Sequence, residues 1–170
     1  MERGTTEFPS RRKIVPAGDG GLGLALASRR ATGRTIGLTN GCYDLFHVGH
    51  LAMLQHAASY CDDLIVAIDS EVLVRHAHGA GRPFFGFDER AVIVAALECV
   101  WRVIPIDMTA QGESCLPAIL EALRPNVYIC RWVEPVPEIP AAEAAGARII
   151  RLLRHGDWSS ARIASILRHG

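Results

Sequence analysis

Five short runs of this sequence are almost wholly apolar, and helix-like stretches separate them. The runs are RTIGLTN (34–40), DLIVAID (63–69), WRVIPID (101–107), NVYICRW (126–132) and RIIRLL (148–153). Between and after them lie VGHLAMLQHAASY (48–60), DERAVIVAALECV (88–100), SCLPAILEALR (114–124), PEIPAAEAAGA (137–147) and SSARIASILRH (159–169). A strand with no in-out alternation has both faces buried, which is the condition of a parallel sheet covered by helices. Right-handed crossovers turn that pattern into a doubly wound α/β fold of about five strands with helices on both faces. In such folds ligands bind at the carboxyl ends of the strands, near the switch in strand order. A further helix is expected around LGLALASRRAT (22–32), and SEVLVRHAHGAGRPFFGF (70–87) reads as irregular. Residues 1–12 read as a flexible N-terminus and 13–170 as a single domain.

Composition removes several function classes. Eighteen basic residues balance 18 acidic ones, so no overall field draws in nucleic acid or an anionic membrane. No basic stripe with interleaved aromatics appears. No apolar run approaches the roughly 20 residues of a membrane span, and the polar start MERGTTEFPSRRK lacks a signal-peptide core. The five cysteines form no C-x-x-C pair, which points to a reducing cytoplasm rather than a disulfide framework or zinc knuckle. GDGGLG (18–23) fits the dinucleotide pattern G-x-G-x-x-G. It follows a short run broken by Pro16, and the next strand ends in Asn40 rather than an acid, so it reads as a turn before a helix.

The chemistry concentrates in LTNGCYDLFHVGH (38–50), where the first long strand gives way to a helix. His47 and His50 admit three readings. They can be a partly buried pair on a helix face. They can share a metal, with Asp44 as a third ligand, although nothing elsewhere plainly completes such a site. Or they can belong to a phosphate cradle. Gly41 would then let backbone N–H groups face the ligand, and the free amides of the helix N-terminus would favour an anion. The imidazoles would donate hydrogen bonds to phosphate oxygens, with charge added by His⁺. Only the third reading uses every unusual residue in the stretch.

GCYDLFHVGH (41–50) and WSSARI (158–163) together resemble the two motifs of the H-x-G-H nucleotidyltransferase superfamily, the cytidylyltransferase-like group. KIV (13–15), TNGCYDLFHVGHLAMLQHA (39–57), DDLIVAIDSE (62–71) and GRPFFGFDERAVIVAALECV (81–100) are similar, in order and spacing, to the adenylyltransferase domain of heptose-phosphate enzymes. The resemblance implies a Rossmann-like domain that transfers NMP from ATP or CTP to a small phosphorylated acceptor and releases pyrophosphate. It places His47 and His50 on the nucleotide phosphates, with Arg154 and Ser159 as further catalytic groups. Asn40, Gly41, Cys42, Tyr43, Gly49, Arg131, Ser159, Ser160 and Arg162 fall at nucleotide-binding positions. Asp44, His78, Arg90 and Trp132 fall on the acceptor side, and Asp44 can alternatively face Mg²⁺. The implied cofactor is Mg²⁺ carried with the triphosphate and not caged by protein ligands alone. The implied assembly is a homodimer.

The sequence departs from that pattern at three places. His78 stands where a lysine is usual. Arg131 and Trp132, in YICRWVEP (128–135), replace a Gly-Gly-Asp or Gly-Asp-Asp turn, and Trp101 replaces an acid. These changes leave two other readings open: a cytidylyltransferase for a phosphonate or a small phosphorylated alcohol, and a non-catalytic nucleotide-binding module.

Overall fold

The computed structural model describes residues 8–131, 136–153, 156 and 159–169. Five parallel strands form one sheet: β1 (Ile36–Gly41), β2 (Asp63–Asp69), β3 (Arg102–Ile106), β4 (Val127–Arg131) and β5 (Arg148–Leu152). Their order is β3-β2-β1-β4-β5, so the switch point lies between β1 and β4. The helices are α1 (Gly20–Ala31), α2 (Val48–Ala58), α3 (Glu71–His78), α4 (Phe87–Ala95), α5 (Leu116–Leu123), α6 (Ile139–Ala144) and α7 (Ser160–His169).

Alternate residues of each strand feed two separate cores, as the period of two requires. In β2, Ile65 and Ala67 pack with Leu22, Leu26, Leu116 and Leu120 from α1 and α5. Leu64, Val66 and Ile68 pack on the other face with Leu54, Ala91 and Val94 from α2 and α4. Both faces are therefore covered, which is why the strands read as continuous apolar runs. At Gly37 a Cβ would stand 2.5 Å from Cys61 Sγ and 3.1 Å from Ile129 Cδ1, so only glycine fits this point of the sheet.

The structure differs from the sequence reading in three places. Residues 71–78 form α3, capped by the Ser70 hydroxyl, which accepts from Leu73 N, and ended by Gly79 at φ 89°. The helix is short and runs at once into the Gly- and Pro-containing stretch 79–83, which hides it in the sequence. Pro9–Lys13, within the expected loose leader, forms a 3₁₀ helix, and the Lys13 ammonium donates to the Leu97 and Val100 carbonyls at 2.9 and 2.8 Å. In GDGGLG, Gly18 lies in the expected turn, but Gly20, Gly21 and Gly23 already belong to α1, with the Asp19 carboxylate accepting from Leu22 N at 2.9 Å. No helix among the described residues is long and apolar enough to cross a membrane.

Candidate active site

The loop from β1 to α2 is held in an unusual shape. Tyr43 and Leu45 carry φ of 51° and 48°, a left-handed conformation costly for non-glycine residues. Gly41 itself belongs to β1, and a Cβ there would point at the Tyr43 ring, 3.4 Å from Cε2. This glycine therefore sits against buried Tyr43 and also lines the cleft described below. His47 is the N-cap of α2, and its Nδ1 accepts from Gly49 N at 3.1 Å. An imidazole accepting at Nδ1 carries its proton on Nε2 when neutral.

His50 stacks on His47, with ring centroids 3.9 Å apart and planes tilted by 22°. Its Nδ1 is buried without a hydrogen-bond partner among the described residues. Burial, followed by the neighbouring His47 and then Arg131, pushes the His50 pKa down to about 3. Without a bound anion, His50 is therefore a neutral hydrogen-bond donor near pH 7.

These residues open onto a cleft of ≈ 290 Å³ at the carboxyl ends of β1, β2 and β4. Asn40, Gly41, Cys42, Tyr43, His47, Gly49, His50, His78 and Arg131 all line it. The Tyr128 hydroxyl, also in the wall, donates to Asn40 Oδ1 at 2.7 Å and ties β4 to β1 across the switch point. Burial raises the Cys42 thiol, so it stays protonated at neutral pH.

Two residues expected to meet the acceptor lie behind this cleft instead. Asp44 is 1% exposed, and its carboxylate accepts from Arg82 Nη1 at 2.6 Å and from Phe84 N and Phe85 N at 2.9 and 3.3 Å. It anchors the loop between α3 and α4 to the H-x-G-H loop. Arg90, also 1% exposed, donates to the carbonyls of Cys42 (2.6 Å), Asp69 (2.8 Å) and Phe85 (3.0 Å). It fixes the ends of β1 and β2 against that same loop. Both residues position the site without facing it.

On α7, the Ser159 hydroxyl accepts from Arg162 N at 3.1 Å, a capping bond. Among the described residues neither Ser159 nor Arg162 lines the cleft. Ser160 opens α7, and its side chain lies outside the described residues, as do Trp132 and Arg154 altogether.

Two carboxylates in the cleft escape the sequence reading. Asp69 ends β2, and burial raises its pKa to about 6 against the opposing pull of Arg90, with a smaller push from Glu138. Glu138, at the start of α6, lines the same cleft. The signal for Asp69 is positional: an acid closing a buried strand beside β1 must sit on the ligand-binding edge. Mg²⁺ takes oxygen ligands and keeps few from the protein when it arrives with phosphates. Asp69 and Glu138 offer such oxygens and fit that role. Among the described residues, no group of three His, Cys, Asp or Glu side chains is placed to hold a metal by itself.

An H-x-G-H turn at the switch point of a parallel 3-2-1-4-5 sheet, with imidazoles over a helix N-terminus, defines a nucleotide-phosphate site of the nucleotidyltransferase class. The chain belongs to the cytidylyltransferase-like family, whose model matches residues 38–146. It is 39% identical over 104 residues to the bifunctional protein HldE of Geobacter sulfurreducens, covering 61% of this chain and 20% of that protein. It is 32% identical over 128 residues to HldE of Mesorhizobium japonicum, covering 74% of this chain and 25% of that protein. The chain thus spans about a fifth to a quarter of the length of these curated relatives. Its fold matches the lipopolysaccharide core biosynthesis protein of Thermoplasma volcanium with a TM-score of 0.60 at 19% identity, over 72% of this chain and 99% of that one.

Proposed function

We propose that this nucleotidyltransferase transfers NMP from ATP or CTP to a small sugar phosphate of the heptose-1-phosphate type, with release of pyrophosphate. The observation that carries the reading is the stacked His47–His50 pair at the N-terminus of α2, facing a cleft shared with Arg131. The similarity to heptose-phosphate adenylyltransferase domains supports the acceptor class. The five free thiols are in keeping with a cytoplasmic setting, where the nucleotide is available.

The acceptor phosphate has a second pKa of about 6 and is already an anionic nucleophile at neutral pH. One of its oxygens forms a bond to the α-phosphorus, and the α–β bridging bond breaks to release pyrophosphate. No general base or covalent intermediate is required, so the protein contributes positioning and charge stabilisation. His50, neutral in the free protein, and His47 donate hydrogen bonds to phosphate oxygens. The amides of the first turn of α2 add their dipole. Arg131 supplies a permanent cation at the edge of the cleft. Asp69 and Glu138 would help to hold a Mg²⁺ brought in with the phosphates, which would neutralise part of the triphosphate charge. Arg90 and Asp44 keep the loops that carry these groups in register.

Arg131 also favours a second reading. An added cation in the cleft suits an acceptor with another anionic group, or a phosphonate, used with CTP. Pyrophosphate release is to be measured with Mg²⁺, each NTP, and acceptors that include heptose-1-phosphate, phosphonates and phosphorylated alcohols. Turnover with one pair, lost in His50→Ala, is the expected result. Absence of turnover with every pair, while NTP still binds, would leave a binding module and defeat the proposal.

A further inference from the structure

We propose a second site, for a phosphate-type oxyanion, at the end of the sheet opposite the active-site cleft. A cleft of ≈ 600 Å³ lies at the amino ends of the strands, beside Arg34 before β1, Asp63 at the start of β2 and Arg102 at the start of β3. In a parallel sheet this edge is as far from the carboxyl ends as the strands are long, so the two clefts are separate.

Five cations line it, Arg12, Lys13, Arg29, Arg34 and Arg102, against three acids, Asp62, Asp63 and Glu98. The whole chain carries no net charge, so this local excess is a concentration of positive potential. Asp63 is taken up by two of these cations, and Asp62 by backbone and hydroxyl donors of Thr35. Asp63 receives Arg34 Nε at 2.6 Å and Nη2 at 3.0 Å, and Arg29 Nη1 stands 3.4 Å away. Asp62 accepts from Thr35 N and Oγ1 at 2.7 and 2.8 Å.

Two guanidiniums are left without a carboxylate. Arg102 gives one N–H to the Trp101 carbonyl and has no ion pair among the described residues, and neither has Arg12. Arg102 also sits over the Trp101 indole at 4.7 Å, with Arg29 at 5.2 Å from the same ring. The indole thus holds two like charges in fixed positions beside an open cavity. Burial and then the Arg29 charge weaken the hold of Arg102 on its proton, a repulsion that a bound anion would relieve.

Guanidinium forks match the paired oxygens of a phosphate, and forks already placed by cation–π contact lose less freedom on binding it. The ligand class is therefore a phosphate oxyanion, either free or as the end of a phosphorylated metabolite. Nothing in the proposed transfer reaction needs this edge, which makes it an effector or docking position for that group.

The test follows intrinsic fluorescence as inorganic phosphate, pyrophosphate and AMP are added separately in a phosphate-free buffer. Trp101→Phe identifies the Trp101 contribution among the three tryptophans. A saturable Trp101 signal is expected with at least one of these ligands. Its half-saturation should weaken about tenfold in Arg102→Gln, the loss of one charge-assisted contact. The signal should persist in His50→Ala, which alters only the other cleft. If Arg102→Gln fails to fold, Arg12→Gln at the exposed rim takes its place, and it too should weaken binding. No saturable Trp101 signal, one indifferent to both arginine changes, or one lost in His50→Ala overturns the proposal. The ligand that binds tightest distinguishes free phosphate from a phosphorylated effector.

Discussion

Acidification from pH 7 to pH 5 should destabilise this protein through His50 in particular. In the folded chain the His50 pKa is pushed from 6.5 down to about 3. The unfolded chain returns it to the ordinary value, so below pH 6.5 the unfolded state binds a proton that the folded state refuses. Stability contributed by the neutral ring is therefore complete above the unfolded pKa and falls as pH drops towards the folded one. At 1.36 kcal/mol per pH unit, protonating an imidazole of pKa 6.5 favours the unfolded state by about 2 kcal/mol more at pH 5 than at pH 7. The folded-state value lies well below 5, so its own titration adds nothing in this window. Urea unfolding of the wild type and His50→Gln across pH 5–7, in buffers free of phosphate, isolates the effect. The wild type should lose about 2 kcal/mol more than the variant over this range. Parallel losses in the two proteins would mean that His50 is not held neutral by its surroundings, and its place as a neutral donor would fall.

Other perturbations test the positioning groups. Asp44→Asn leaves Arg82 facing an uncharged amide in a buried setting and should cost about 3 kcal/mol in thermal unfolding. Gly37→Ala forces a Cβ into Cys61 Sγ and Ile129 Cδ1 and should cost about 2 kcal/mol. Adding Cys61→Ala should recover part of that loss in a double-mutant cycle, because it removes the nearer sulfur. Arg90→Met abandons three backbone carbonyls behind the cleft. It should lower kcat for nucleotidyl transfer more than it changes KM for the nucleotide, since it touches neither substrate.

The strands were legible because burial on both faces writes itself as unbroken apolar runs. β2 occupies the run DLIVAID without a shift, and the H-x-G-H turn falls where a strand meets a helix. The α3 helix was not legible, since its eight residues run straight into Gly79, Gly81 and Pro83 and read with them as one irregular stretch. Spacing also identifies which residues gather near a site but not which way they face. His47 and His50 line the cleft, whereas Asp44 and Arg90 turn inward to fix loops, mostly through bonds to residues some 20 to 50 positions away. The lowering of the His50 pKa comes first from burial and then from the charges of His47 and of Arg131 at the end of β4, none of which local sequence shows. Asp69 was readable in principle from its place at the end of β2, but no local motif marks it.

The transfer itself is tested most directly by following label from the two ends of the triphosphate. With an acceptor that supports turnover, [α-³²P]NTP should pass its label into an acceptor–NMP product, and [γ-³²P]NTP should release its label as pyrophosphate. Both should depend on His50. Label appearing instead as inorganic phosphate and NDP, with none on any acceptor, would make the protein a nucleotide hydrolase and contradict the proposed chemistry.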